Sequence, residues 1–172
     1  MVILDFTLHN KALWYYKAVL LKHRLFYAPK PIKMIYLKTK VKELGRQEAT
    51  RIAKATLKWC QRTLGVNRRK KWKISTYIRK AHIGDDTCGE YDCWDHEIYV
   101  YWNNCEDVRE LIATCVHEWT HSLQPILTKY YKYPGTYSRN PYERAAKYAE
   151  QKWTPIVWRE LRHNINKQLK SI

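Results

Sequence analysis

Residues 115–121 read Cys115-Val116-His117-Glu118-Trp119-Thr120-His121, a His-Glu-x-x-His core inside a segment of helical apolar spacing. On a helix, side chains four apart stand one above the other, so His117 and His121 can grip one ion together. Glu118 follows the first histidine, where its carboxylate can reach a water held on that ion. The chemistry such a pattern serves is hydrolysis: two imidazoles fix a zinc, and the glutamate takes the proton of the attacking water. A third protein ligand and an open fourth position would complete the site.

The surroundings suit this reading. Ile112, Cys115, Val116, Trp119 and Leu123 recur at helical intervals beside the two histidines, so one face is predicted to be buried while another faces the metal. Asn104 is the expected cap, with Glu106 and Asp107 in the first turn, where acids complement the helix dipole.

Downstream of His121 the choice of third ligand is short. The only later histidine is His163, no aspartate follows Asp107, and the remaining acids are Glu143, Glu150 and Glu160. Asn140-Pro141-Tyr142-Glu143 is a strong helix start, with Asn at the cap and Pro at the first helical position. Glu143 sits in that first turn beside the small Ala145 and Ala146, which would let two helices approach, and is the expected ligand. The competing reading is a capping box, Asn140-x-x-Glu143. Glu150, two turns further on the same face, is the alternative ligand or a partner for a histidine ring.

Upstream, Arg46 to Leu64 reads as an amphipathic helix ended by Gly65, its stripe running through Ala49, Ile52, Ala53, Leu57, Cys60 and Leu64. Trp72–Ile78 and Glu97–Trp102 alternate as half-buried strands. Between them, His82, Cys88, Cys93 and His96 lie around Gly84 and Gly89 in a turn-rich loop or hairpin. The Cys-x4-Cys spacing of Cys88 and Cys93 is compatible with a second, structural zinc completed by Cys105 or His96, but no matching second pair follows. Ile156 to Leu169 continues as helix after Thr154-Pro155, and Ile35, Tyr36 and Leu37 suggest a short strand after Pro29 and Pro31.

The length of 172 residues fits one domain with a real core, of α+β class: a small antiparallel or mixed sheet packed on the His-Glu-x-x-His helix, followed by a C-terminal helical part. No apolar run is long enough to span a membrane. The stretch Ala12–Leu21 is interrupted by Lys17 and lacks a cleavage site, so no signal peptide is expected and an intracellular setting is. Five cysteines, an odd number in a chain of this size, point to reduced thiols rather than a disulfide scaffold.

Charge is placed unevenly. Residues 1–81 hold 21 Lys and Arg against Asp5, Glu43 and Glu48, a balance of +18, while residues 82–172 hold 11 against 13 acids, a balance of −2. The basic half would be drawn to nucleic acid or another polyanion. Its densest cluster, Arg68-Arg69-Lys70-Lys71, is a candidate phosphate contact, with a solvated turn as the plainer reading. Residues 1–44 interleave basic and aromatic residues, a mixture that suits a nucleic-acid surface and equally an amphipathic cover, with a basic helix expected over Leu13–Leu25.

The order helix, strand, strand, His117-Glu118-x-x-His121 helix and a later helix with Glu143-x-x-Ala146 resembles the zincin metallopeptidases. With Glu as the last ligand it is similar to their gluzincin branch, in a minimal single-domain form covering roughly residues 47–153. The metzincin pattern is absent, since Ser122–Leu127 supplies neither Gly nor His. SprT-like proteases, which act on DNA-attached proteins, share the core and the basic character, but their third ligand is expected to be His. The resemblance implies zinc held by His117, His121 and Glu143, peptide-bond hydrolysis with Glu118 as base, and an oxyanion stabilised by Tyr137 or Tyr142. It also implies an extended peptide or protein substrate adding to the sheet at strand 97–102. A nucleic-acid-binding module on the same scaffold and a hydrolase of non-peptide amides are the competing classes.

Overall fold

The computed structural model describes residues 34–67, 73–82, 84–124, 136 and 139–169, with side chains to residue 165. Residues 34–172 form one compact unit. The helix expected over Leu13–Leu25, the Arg68–Lys71 cluster, Trp72 and Tyr137 lie outside the described residues.

Among the described residues six elements follow in order: α1 (Val41–Thr63), β1 (Ser75–Arg79), β2 (Gly89–Asp92), β3 (Glu97–Tyr101), α2 (Val108–Leu123) and α3 (Pro141–Leu169). The described part is of α+β class, three helices with a small mixed sheet. No described helix is long and apolar enough to cross a membrane.

α1 begins earlier than its apolar stripe suggests. Gly45, at φ 79°, leaves helical geometry inside it, so a first turn from Val41 is joined to the regular helix beyond. The buried side is Ala49, Ile52, Ala53, Thr56, Leu57, Trp59 and Cys60. At the far end the Leu64 N–H donates to the Cys60 carbonyl at 2.8 Å, and Gly65 then turns the chain at φ 82°, a conformation that costs glycine nothing.

The strand order is β1-β3-β2. β3 pairs parallel with β1, Tyr77 opposite Tyr99, and antiparallel with β2, Gly89 opposite Val100. Ile98 and Val100 point into the core while Tyr99 and Tyr101 stay half-exposed, as the alternation predicts. Tyr77 and Tyr99 stack at 5.2 Å on the other face, with the Arg79 guanidinium over both rings. The alternation of the first strand is only partly realised: Thr76, expected inside, is exposed, and the strand begins at Ser75.

α2 is the centre of the fold, packed on α1, α3, β2 and β3. Leu111, Ile112, Cys115, Val116 and Trp119 are almost wholly removed from solvent. Burying side chains of this size favours folding by about 1.5–3 kcal/mol each. Its cap is Asp107, whose carboxylate accepts the Glu110 N–H at 3.0 Å; Asn104, the residue expected there, instead bonds the Asp85 and Thr87 carbonyls. The expected strand at Ile35–Leu37 does not form. Its neighbourhood is a turn whose carbonyls serve the helix start: Val108 and Arg109 donate to Thr39 and Leu37 at 3.0 and 2.9 Å. Those are two of the N–H groups a helix leaves unpaired at its beginning.

α3 opens as predicted. Asn140 accepts the Tyr142 N–H at 3.0 Å and Pro141 occupies the first position. Glu143 and Ala146 are buried, whereas Ala145 faces solvent and is not part of the packed stripe. Pro155 lies inside the helix, and Thr154 beside it donates its hydroxyl to the Glu150 carbonyl at 2.7 Å. At the opposite side of the core the Trp59 indole N–H donates to Glu160 at 2.7 Å, tying α1 to α3.

Candidate metal centre

The helical period of α2 brings His117 and His121 together on the side facing α3. Their Nε2 atoms lie 3.1 Å apart, and the two oxygens of Glu143 lie 3.2 Å from them, Oε2 from His117 and Oε1 from His121. Among the described residues these three are the group of His, Cys, Asp and Glu side chains close enough to hold a metal ion. Glu143 and His121 are buried, at 5% and 6% exposure, and His117 is partly buried.

The outer ring nitrogens fix the inner ones. His121 Nδ1–H donates to Gln124 Oε1 at 2.9 Å, and the amide is held in that sense because Gln124 Nε2 donates to the Tyr142 carbonyl at 2.9 Å. His117 Nδ1–H donates to Glu150 Oε2 at 3.3 Å. With Nδ1 protonated on both rings, the neutral tautomers present two Nε2 lone pairs to one another. That pairing requires a positive charge at the point where they meet. In the metal-free chain a proton on His117 supplies it. Burial works against charging that ring, but the Glu143 and Glu150 carboxylates and nearby Glu118 outweigh it and push its pKa up to about 9.

A divalent ion fits the same place. Bonds of about 2.0–2.1 Å at a tetrahedral centre set donors roughly 3.3 Å apart, close to the spacing of the two nitrogens from each other and from the carboxylate oxygen each one faces. Two neutral imidazoles and one carboxylate are also the donor set that borderline-soft divalent ions prefer. The geometry therefore separates the two glutamates: Glu143 reaches the inner Nε2 atoms, whereas Glu150 reaches an outer nitrogen and orients the ring. Asn140 caps α3, while the Glu143 carboxylate is directed to the histidines.

Glu118 is buried on the neighbouring side of α2, at 7% exposure. Burial pushes its carboxyl up to about 7, against the pull of His117 and His121. A carboxylate near neutrality is suited to taking and returning a proton. Its aliphatic stem meets β2: a Cβ on Gly89 would sit 3.1 Å from Glu118 Cγ and 2.6 Å from the Thr114 methyl. Only glycine lets the strand pass this close.

The remaining expectations divide. Tyr142 is half-buried, its ring packed on the hydrophobic core one residue before Glu143. Strand 97–102 is not a docking edge, because β3 is bonded on both sides and a central strand has no ladder left to offer. Among the described residues the edges are β1 and β2, and β2 is the one against Glu118. The second zinc around Cys88 and Cys93 finds no support among the described residues, where no other cluster of metal-binding side chains forms. Gln124 was invisible to a search for acids and imidazoles; its position three residues after His121, at the end of the helix, was the available signal. No protein-family model matches this chain, and no curated protein or solved structure matches it.

Proposed function

We propose that this protein is a zinc-dependent hydrolase of peptide bonds, a zincin of the gluzincin kind, with His117, His121 and Glu143 as ligands and Glu118 as general base. The observation that carries the reading is the meeting of two Nε2 lone pairs and one buried carboxylate at mutual distances of 3.1–3.2 Å. Bound there, zinc would acidify a water toward a pKa of about 7 and polarise the scissile carbonyl. Glu118 accepts the proton of the attacking water and then returns it to the departing amine.

The substrate is an extended polypeptide lying along the outer edge of β2. The Tyr101 N–H donates to the Cys88 carbonyl at 2.8 Å. By the alternation of an antiparallel ladder, Gly89 then turns its own N–H and carbonyl away from β3. An added strand would bond there, next to Glu118. Elemental analysis of the full-length protein beside His117→Ala tests the proposal. About one zinc per wild-type chain and a loss in the variant are expected; wild type without stoichiometric zinc would overturn it.

A second reading rests on charge. α1 carries Lys54, Lys58 and Arg62 on its exposed side, four residues apart, within the half of the chain whose balance is +18. A nucleic-acid-associated protein, either a SprT-like protease or a binding module, would use this side together with Arg68–Lys71. Fluorescence anisotropy with duplex DNA decides it: binding that weakens steeply with salt, by roughly −0.9 in log–log slope per phosphate contact, supports it. Absence of binding at low salt removes it.

A further inference from the structure

Cys88 and Cys105 are brought to the same residue, Tyr101, by the fold. Cys88, half-buried, directly precedes β2; Cys105 is buried in the connection between β3 and α2. Both are fastened to Tyr101, whose N–H donates to the Cys88 carbonyl at 2.8 Å and whose carbonyl accepts the Cys105 S–H at 3.7 Å. A second clamp runs alongside. Asn104 Nδ2 donates to the carbonyls of Asp85 and Thr87 at 2.6 and 2.8 Å, joining the approach to Cys88 to the residue before Cys105. Held in this way, both cysteines are anchored to Tyr101, Cys88 through its backbone carbonyl and Cys105 through its thiol. No third metal-binding side chain completes a site with them among the described residues, so the chemistry open to the pair is redox chemistry.

We infer that Cys88 and Cys105 form a reactive dithiol that exchanges with low-molecular-weight disulfides, Cys88 attacking and Cys105 resolving. Access sets the order, since Cys105 is 3% exposed and a small disulfide can reach only Cys88. The Cys88 thiolate attacks one sulfur of RSSR. That S–S bond breaks, one RS⁻ departs with the electron pair and takes up a proton, and a Cys88–SR mixed disulfide remains. The Cys105 sulfur then attacks Cys88 Sγ, its proton passing to the second departing RS⁻. Two cysteines are oxidised to one disulfide and RSSR is reduced to two RSH. The neighbouring Cys105 supports the first step, since it holds the Cys88 thiol below its ordinary value and so favours the thiolate. The product would join the beginning of β2 to the approach to α2, independently of whether the metal centre is catalytic.

The test uses the full-length protein and oxidised glutathione, followed by alkylation of the remaining thiols and mass spectrometry without reduction. Residues 81–108 contain no Lys or Arg, so cleavage before Asp is needed to separate Cys88 from Cys105. A Cys88–Cys105 linked pair, reversed by dithiothreitol and still formed in Cys93→Ser, is the expected result. In Cys105→Ser, Cys88 should stop at the glutathione adduct. A Cys88–Cys93 link, a stable adduct on wild-type Cys88, or full alkylation of both thiols after treatment each overturns the assignment. The wild-type measurements stand whether or not Cys105→Ser folds.

Discussion

Gly89 of β2 and Glu118 of α2 are in contact through the glycine's missing side chain: a Cβ there would approach Glu118 Cγ to 3.1 Å and the Thr114 methyl to 2.6 Å. The close approach puts the strand edge and the proposed base side by side. It also makes the glycine a steric requirement of the site rather than of a turn, since its φ is not in the left-handed region.

Gly89→Ala should therefore destabilise the fold by about 1–3 kcal/mol, the usual cost of forcing a methyl into a packed interface. Urea titration followed by tryptophan fluorescence measures it. Thr114→Ser removes the nearest methyl, so Gly89→Ala/Thr114→Ser should recover part of the loss. An unaltered midpoint in Gly89→Ala would show that β2 moves freely against α2.

Glu118→Gln should keep the metal and the fold and abolish hydrolysis. The amide is nearly isosteric but cannot accept the proton, so the general-base contribution of about 10²–10⁴-fold is removed. Single-turnover cleavage of a denatured protein substrate, with metal content measured on the same preparation, checks both halves. Equal rates in the two proteins would reassign the base.

The two glutamates should separate on titration with zinc. Glu143→Ala loses stoichiometric binding, whereas Glu150→Gln retains it with affinity lowered by about 10–100-fold, as for residues that orient a ligand. Gln124→Ala should behave like Glu150→Gln, because it frees the His121 ring and the Tyr142 carbonyl. Competition against a chromogenic chelator gives the affinities. A greater loss in Glu150→Gln than in Glu143→Ala would exchange their roles.

The neighbouring Cys105 holds the Cys88 thiol below its ordinary value, with burial and the Glu110 and Glu118 charges opposing it. A lowered pKa means that thiolate accumulates earlier as pH rises. The midpoint of Cys88 alkylation by iodoacetamide, followed by mass spectrometry, should thus lie below that of a free cysteine thiol titrated alongside. Cys105→Ala should move it upward. A midpoint at or above the free-thiol value in wild type contradicts the orientation of the pair.

His117, Glu118, His121 and the α2 stripe were legible because both signals, ligand spacing and apolar period, are local and repeat with the helix. The start of α3 was legible for the same reason, since Asn140-Pro141 encodes a cap and a first turn without outside help. The α2 cap was misplaced because Asn104 and Asp107 both have side chains that cap well, and tertiary bonds to Asp85 and Thr87 took the first. Ile35–Leu37 has β-forming residues but no neighbouring strand among the described residues, and its Leu37 carbonyl is taken by the Arg109 N–H. Strand order is not written in alternation, so nothing in Glu97–Trp102 announced that it would be central. The division of labour between Glu143 and Glu150 depends on which ring nitrogen each meets, a difference of a few ångströms between helices that spacing along the chain does not record.

The bond between Trp59 and Glu160 crosses 101 residues. On the ribosome, this sets an order of events. α1, the sheet and α2 are all made before α3 exists, so His117 and His121 emerge with neither Glu143 nor the last wall of the core. At about 5–20 residues per second, the histidine pair waits at least a second for its carboxylate. Until Glu160 has emerged as well, the Trp59 indole has no carboxylate to receive its N–H. On the proposed function, capture of a metal by His117, His121 and Glu143 together therefore follows the synthesis of α3's first turn, after the helix that carries the two histidines has been made.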